Sequence, residues 1–285
     1  MNCFMFPGQP FSLSALLPDD PDYAHIVALV RQQAHFDLVK FIWLKEPGTD
    51  QVGLQLLGVA QSLYQLRRLR SHGVWPDLVA QHSMGIYPAL VACGSLSEEQ
   101  AIELTWRVGA CLSAMGKTQQ RYALGSVIGL TLDRVQAVAD NNQVYVANHN
   151  TSRHFLLSGG KPQVDQALAE ALASGAFSAR SFPCDAPLHS PLVAQLEGEL
   201  EDIFAGYRYA HPVLPLMNHL NQSYLVADEI RSFLLRELQL PVYWERTYRA
   251  LKAAGIVSFY EVGEGETLRK FNRWIDSEID KPAVR

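Results

Sequence analysis

Apolar residues arrive along this chain in short unbroken runs separated by longer stretches of helical periodicity. Residues 3–6 form an apolar run stopped by Pro7-Gly8-Gln9-Pro10, the pattern of a buried strand ending in a tight loop whose backbone amides can face a ligand. From about residue 23 to residue 70 the period is helical. Ile26, Leu29 and Val30 share one face, and Leu54, Leu56, Leu57, Val59, Ala60, Leu63 and Leu66 make a broad apolar stripe. A second short apolar strand over residues 75–80 runs straight into Gln81-His82-Ser83-Met84-Gly85 and a helix ending near Cys93-Gly94. Ser97-Glu98-Glu99-Gln100 then has the form of a capping box, opening the helix that carries Trp106-Arg107-Val108-Gly109.

Between residues 118 and 182 the texture changes to short alternating units. Strands are expected over 125–130, 144–148, 154–157 and 177–182, and helices over 132–139 and 163–172. That order, βαββαβ, predicts a ferredoxin-like subdomain over 118–182, inserted into a larger domain made of 1–117 and 183–285. Beyond it the chain returns to helices, including one around 233–238. A strand-like segment is expected at 213–217 and a last apolar strand at 257–262, and the polar tail after Ile275 is expected to fray.

Composition narrows the function classes. With 48% hydrophobic and 19% charged residues in 285, the chain has the makings of a sizeable core and lacks the polar excess of a disordered one. A net charge of -5 and a pI near 6.0 argue against nucleic acid and against an anionic membrane surface as partners. The local exception, Gln65-Leu66-Arg67-Arg68-Leu69-Arg70, reads as the solvated end of a helix, with contact to a phosphate or an acidic carrier as the alternative. Cys3, Cys93, Cys111 and Cys184 never approach C-x-x-C spacing, so neither a zinc site nor a disulfide framework is expected. The N-terminal residues read as a strand rather than a leader, no run approaches membrane-spanning length, and a reducing cytoplasm is the expected location.

The chemistry centres on Ser83. A serine hydroxyl is a poor nucleophile unless it is exposed beside a base, with amide donors aimed at the oxygen that turns negative in a tetrahedral intermediate. The strand-to-helix passage at Ser83 supplies such an elbow and sets the Met84 amide beside it. The motif is G-x-S-x-G with its first glycine replaced by Gln81. On its own it leaves open a helix cap or turn serine. His25, His35, His72, His211 and His219 have no ligand-like spacing and read as surface or packing residues.

Six blocks in order strengthen the reading. Phe6-Pro7-Gly8-Gln9, His82-Ser83-Met84-Gly85, Asn148-His149-Asn150 with Leu156-Leu157-Ser158-Gly159, Ala186-Pro187-Leu188-His189-Ser190-Pro191-Leu192, Pro241-Val242-Tyr243-Trp244 and Glu261-Val262-Gly263-Glu264-Gly265 cover nearly the whole chain. Together they resemble the malonyl-coenzyme A:acyl carrier protein transacylases and the acyltransferase domains of polyketide synthases. The resemblance implies an α/β fold, an α/β-hydrolase-like core carrying the ferredoxin-like insert. It implies Ser83 as nucleophile, His189 as base, and the Met84 and Gln9 amides as oxyanion hole. It also implies acyl-coenzyme A and the phosphopantetheine arm of an acyl carrier protein as substrates, with no bound cofactor. The position that orients the histidine through its backbone carbonyl aligns with Glu237. Its side chain is expected to face solvent, or alternatively to accept the histidine's second N–H and complete a triad. His82 is expected to point away from the serine and wall the site, along with Asn148, Asn150 and His154.

The sequence also departs from the family's pattern. Malonyl-selective members are expected to carry an arginine immediately before a glycine on the helix after the elbow, clamping the malonyl carboxylate. Val108 stands there, and Arg107 lies one residue earlier, about 100° around the helix. Either the helix has slipped and Arg107 clamps a carboxylate, or the pocket suits an uncharged acyl group. Ile86 replaces the glutamate that follows the elbow, His154 replaces a glutamine, and Pro10 replaces a glycine. The leading function is an acyl-serine acyltransferase serving fatty-acid, polyketide or related carrier-protein metabolism. An acyl-carrier thioester hydrolase on the same fold and a non-catalytic carrier-docking module are the alternatives.

Overall fold

The structure is a computed structural model that describes residues 1–10, 17–41, 51–116 and 121–279. Two sheets organise it. The first is parallel, in the order β2-β1-β7, from β1 (Asn2–Phe6), β2 (Leu78–Gln81) and β7 (Ser258–Glu261). Cys3 sits in register with Leu78 on one side and Phe259 on the other. Both faces of this sheet are covered, which is why β1 and β2 read as continuous apolar runs rather than alternating ones. Phe4, Phe6 and Val79 join the larger core with α1 (Pro21–Ala34), α2 (Gln51–Ser71), α3 (Ile86–Ala92) and α4 (Glu98–Gly116). Cys3, Met5, Leu78 and Ala80 face the other way, against residues of two later helices.

The second sheet is antiparallel, in the order β4-β5-β3-β6. Its elements follow in the chain as β3 (Tyr122–Ile128), α5 (Leu132–Asn141), β4 (Tyr145–Thr151), β5 (His154–Gly160), α6 (Lys161–Ala173) and β6 (Ser178–Cys184). The order β-α-β-β-α-β is the one the sequence predicts, with strand limits moved by at most three residues. A strand's side-chain period of two divides the residues cleanly. Ala123, Val127, Phe155 and Leu157 pack with Val135, Val138, Val164 and Leu168 of the two helices in a core of their own. Leu124, Ser126, His154 and Leu156 fall on the opposite face.

After a 3-10 turn (Pro191–Leu196), α7 (Glu197–Ala205) and α8 (Ala227–Gln239) join the larger core. Trp244 and Tyr248 of α9 (Trp244–Ala253) and Leu268 and Ile275 of α10 (Thr267–Ile279) cover the other face of the parallel sheet. The predicted capping box forms: Gln100 N–H donates to Ser97 Oγ at 3.2 Å and Ser97 N–H to Gln100 Oε1 at 3.0 Å. The arginine run ends α2 as expected, but it is paired: Arg67 forks onto Glu98, and Arg70 donates to the Ala92 carbonyl.

Two expectations give way. The 213–217 segment is not a strand. It meets β2 at one bridge, Val79 with Leu216, where Val79 N–H donates to the Pro215 carbonyl and Met217 N–H to the Val79 carbonyl. Pro215 has no N–H to extend the ladder. Nor does the helix fray at Ile275. It continues to Ile279, tied down by the Tyr248 hydroxyl donating to Asp276 and the Ser152 hydroxyl donating to Glu278. No helix among the described residues is long and apolar enough to cross a membrane.

Candidate active site

The elbow is built by three backbone facts. Ser83 stands one residue past the end of β2, after His82, and takes φ +52°, a left-handed conformation that costs a non-glycine residue roughly 1–2 kcal/mol. A 3-10 turn (Ser83–Gly85) then leads into α3. A Cβ at Gly85 would run into the Phe6 and Pro7 carbonyls, so the elbow seats on the end of β1 only because that residue is glycine. Gly8 is held the same way, a Cβ there lying 2.9 Å from His82 Nδ1. The loop carrying Gln9 is thereby pressed against the residue before Ser83. The Met84 amide opens the 3-10 turn, where an N–H has no acceptor within the turn itself. Gln81 ends β2 in register with Phe6, so the missing glycine is tolerated as ordinary strand. Its buried side-chain amide finds no hydrogen-bond partner among the described residues, a cost of about 1–3 kcal/mol.

His189 lies 106 residues away in sequence and also adopts the left-handed region, φ +55°. Its Nε2 is 2.7 Å from Ser83 Oγ, and its Nδ1–H donates to the Glu237 backbone carbonyl at 2.7 Å. With Nδ1 carrying the proton, Nε2 is left to accept the serine's. His189 N–H in turn donates to the Leu238 carbonyl at 2.9 Å. Burial holds the imidazole's pKa below its ordinary value, opposed by the nearby Glu237 carboxylate and carbonyl. The neutral, proton-accepting form therefore dominates at pH 7.

The Glu237 side chain does not face solvent, contrary to the sequence expectation. It is 2% exposed, with Oε2 at 3.8 Å from His189 Nδ1 and 3.9 Å from His219 Nε2. Neither distance is a hydrogen bond, so the carbonyl alone accepts the His189 proton and no carboxylate triad forms. Burial pushes the Glu237 carboxyl up to about 7. His219, read from sequence as one more surface or packing histidine, is fully buried beneath the site and pushed down to about 3. No spacing rule signals it, because its approach to Glu237 is made by two separate segments.

His82 stands beside Ser83 in the lining of the same cavity. Its Nε2–H donates to Asn150 Oδ1 at 2.9 Å, with Asn148 Nδ2 at 3.2 Å from the same nitrogen, and its ring tilts over Trp244 at 6.0 Å. The pair of asparagines is placed by a link between two regions: Val242 pairs with β4, taking the His149 N–H and giving its own to Ala147. A single stretch, 237–242, thus holds both the histidine and the asparagine strand.

Ser83, His189 and Gln9 open into a chamber of about 290 Å³ bounded by the exposed face of the antiparallel sheet and by α10. Asn148, Asn150, His82 and His154 line it, together with Leu124, Ser126, Leu156, Phe182 and Phe271. His154 meets Ser126 Oγ at 3.1 Å and is pushed down to about 4 by burial. Arg107 and Val108 are not among the lining residues. Arg107 lies over the Tyr207 ring at 5.6 Å, and Val108 is buried in the larger core. The slipped-helix alternative is thereby overturned: the α4 helix runs unbroken and turns Arg107 toward α7. Among the described residues no group of three or more histidines, cysteines or carboxylates is placed to hold a metal ion.

A left-handed serine at a strand-to-helix elbow, bonded to a carbonyl-oriented histidine that lines the same chamber, is the arrangement of an acyl-transfer enzyme with a covalent serine intermediate. Sequence comparison makes the family definite: the chain belongs to the acyl transferase domain family, whose model matches residues 11–231. It is 28% identical over 294 residues to the malonyl CoA-acyl carrier protein transacylase of Escherichia coli strain K12, covering 99% of this chain and 94% of that protein. It is 27% identical to the polyketide biosynthesis protein ThaF of Burkholderia thailandensis, covering 96% of this chain but only 24% of the much longer relative. In fold it superposes with a TM-score of 0.88 on the malonyl CoA-acyl carrier protein transacylase from Coxiella burnetii, at 25% identity, over 97% of this chain and 91% of the other. The same score, 0.88 at 25% identity, relates it to a malonyl-transacylase solved in complex with its type II polyketide synthase acyl-carrier protein, over 97% and 93% of the two chains.

Proposed function

We propose that this acyltransferase moves an acyl group from coenzyme A to the phosphopantetheine thiol of an acyl carrier protein through an ester on Ser83. The observation that carries the reading is the 2.7 Å contact between Ser83 Oγ and His189 Nε2, with Nδ1 committed to the Glu237 carbonyl. His189 takes the hydroxyl proton as Oγ attacks the thioester carbon, and the Met84 and Gln9 amides receive the charge that develops on the carbonyl oxygen. The carbon–sulfur bond breaks, and the leaving thiolate takes the proton from His189. The carrier's thiol then gives its proton to His189 and attacks the acyl ester, and the serine oxygen leaves with that proton restored. Each half-reaction needs one base and one oxyanion site, and neither calls for a metal or redox group.

We read the fold as an α/β-hydrolase-like domain, residues 1–117 and 183–285, carrying a ferredoxin-like subdomain at 118–182. Support comes from the separate apolar core of the antiparallel sheet and from its strand order, although β6 runs on to Cys184. A cytoplasmic setting fits four cysteines that are all free thiols.

The test is intact-mass measurement after mixing the chain with acyl-coenzyme A donors and then with a phosphopantetheinylated carrier protein. An adduct on wild type that is missing in Ser83→Ala and is discharged onto the carrier is the expected result. An adduct released as free acid at one rate with or without carrier would replace transfer by hydrolysis.

A further inference from the structure

The walls of the chamber bear on the identity of the acyl group. Six apolar side chains dominate its lining: Leu124, Leu156, Phe182, Leu188, Leu268 and Phe271. Two imidazoles among the lining groups are neutral. Burial pushes both His82 and His154 down to about 4, so neither imidazole is charged at pH 7. Asn150 Oδ1 accepts from His82 Nε2–H with Asn148 Nδ2 beside the same nitrogen, and Ser126 meets His154. Among the described residues the charged side chains that line the chamber are one of each sign, Glu264 and the exposed Lys270, so they bring no excess of positive charge to it. Arg107, the cation nearest in sequence to the core of α4, is stacked on Tyr207 outside it.

A carboxylate brought among these apolar side chains loses its hydration, and the lining cation Lys270 is exposed and offset by Glu264. An alkyl chain loses nothing and buries its methylenes. We propose that the acyl group carried on Ser83 is uncharged and apolar, a short- to medium-chain alkanoyl group, and that a malonyl half-thioester is discriminated against. This rests on the acyl-transfer reading above and concerns the cargo alone.

The experiment follows formation of the Ser83 adduct by rapid quench and intact mass, using the full chain with malonyl-, acetoacetyl-, acetyl-, butyryl- and hexanoyl-coenzyme A. Acetoacetyl matches malonyl in shape but puts a methyl ketone where malonyl has a carboxylate. It is expected to acylate at least tenfold faster than malonyl. Butyryl is expected to exceed acetyl by about fourfold per added methylene. Phe182→Arg, which sets a cation into the wall at a half-buried position, is expected to raise the malonyl-to-acetoacetyl ratio at least tenfold. If wild type takes malonyl as fast as acetoacetyl or faster, the apolar assignment is overturned. An unchanged ratio in folded Phe182→Arg also overturns it, since the acyl group then lies elsewhere. Should that variant fail to fold, the wild-type ratio decides alone. Failure of every donor to form an adduct overturns the acyl-transfer reading itself, which sets that outcome apart from a preference for malonyl.

Discussion

The two sides of the chamber hold their residues by different means. On the side of the parallel sheet, Ser83 and His189 are fixed by main chain: left-handed φ angles at both, a glycine that lets the elbow touch β1, and the Glu237 and Leu238 carbonyls gripping the histidine. On the side of the antiparallel sheet, Leu124, Ser126, His154 and Leu156 project from regular strands, and nothing in the backbone depends on what they are. The Ser83–His189 geometry is therefore intolerant of change while the opposite wall can be refitted one side chain at a time. A backbone-held pair with an exchangeable wall keeps one chemistry and varies its cargo.

Substitutions can break this contrast, the most damaging first. Ser83→Ala is expected to lower acylation by about 10⁴-fold or more while leaving the melting temperature nearly unchanged, since only the hydroxyl is lost; adduct mass and calorimetry check the two halves. Gly85→Ala forces a Cβ onto two carbonyls of β1 and is expected to cost about 3 kcal/mol or more, read as a lowered denaturation midpoint.

The buried titratable groups sharpen the contrast through pH. His82 and His154 near 4 and His219 near 3 all lie below the ordinary histidine value of 6.5. The unfolded chain binds protons between those limits that the folded chain does not. Their contribution is complete above pH 6.5 and is lost as pH falls toward 4. Glu237 works in the opposite sense: raised from 4.5 to about 7, it makes the folded chain hold a proton that the unfolded chain releases, so stability is lost as pH rises between those values. Glu237→Gln is accordingly expected to gain on wild type by about 1–3 kcal/mol at pH 8 and much less at pH 5, in denaturant titrations at the two pH values. Acylation requires neutral His189, so its acid limb is expected below pH 6.5. The smallest effect belongs to Arg107→Ala. It removes a stack on Tyr207 worth about 0.5–1 kcal/mol and is expected to leave donor preference unchanged, because Arg107 lies outside the chamber.

Much of this arrangement is legible along the chain. The elbow at Ser83, the loop before Gln9, the βαββαβ order and the capping box at Ser97 are local patterns, each written within a dozen residues or as a simple period. The Ser83 to His189 partnership is legible only through six ordered blocks, because 106 residues intervene. Three features escape altogether. The burial of Glu237 and the approach of His219 depend on how α8 and the segment before it pack. The link from Val242 to β4 joins elements nearly a hundred residues apart. The strand-like 213–217 segment makes only isolated bridges, Leu216 with Val79 and Met217 with Tyr224.

By itself the sequence determined that a serine stands at a strand-to-helix turn with the Met84 amide next to it, since turn geometry is a property of adjacent residues. It also placed Val108, not arginine, before the glycine of α4. Tertiary structure alone decided what that replacement means. Whether a carboxylate meets a cation depends on which side chains from distant elements converge on one cavity and on how far burial suppresses their charge. Here the convergence brings apolar walls and neutral imidazoles to Ser83 and turns Arg107 away toward Tyr207.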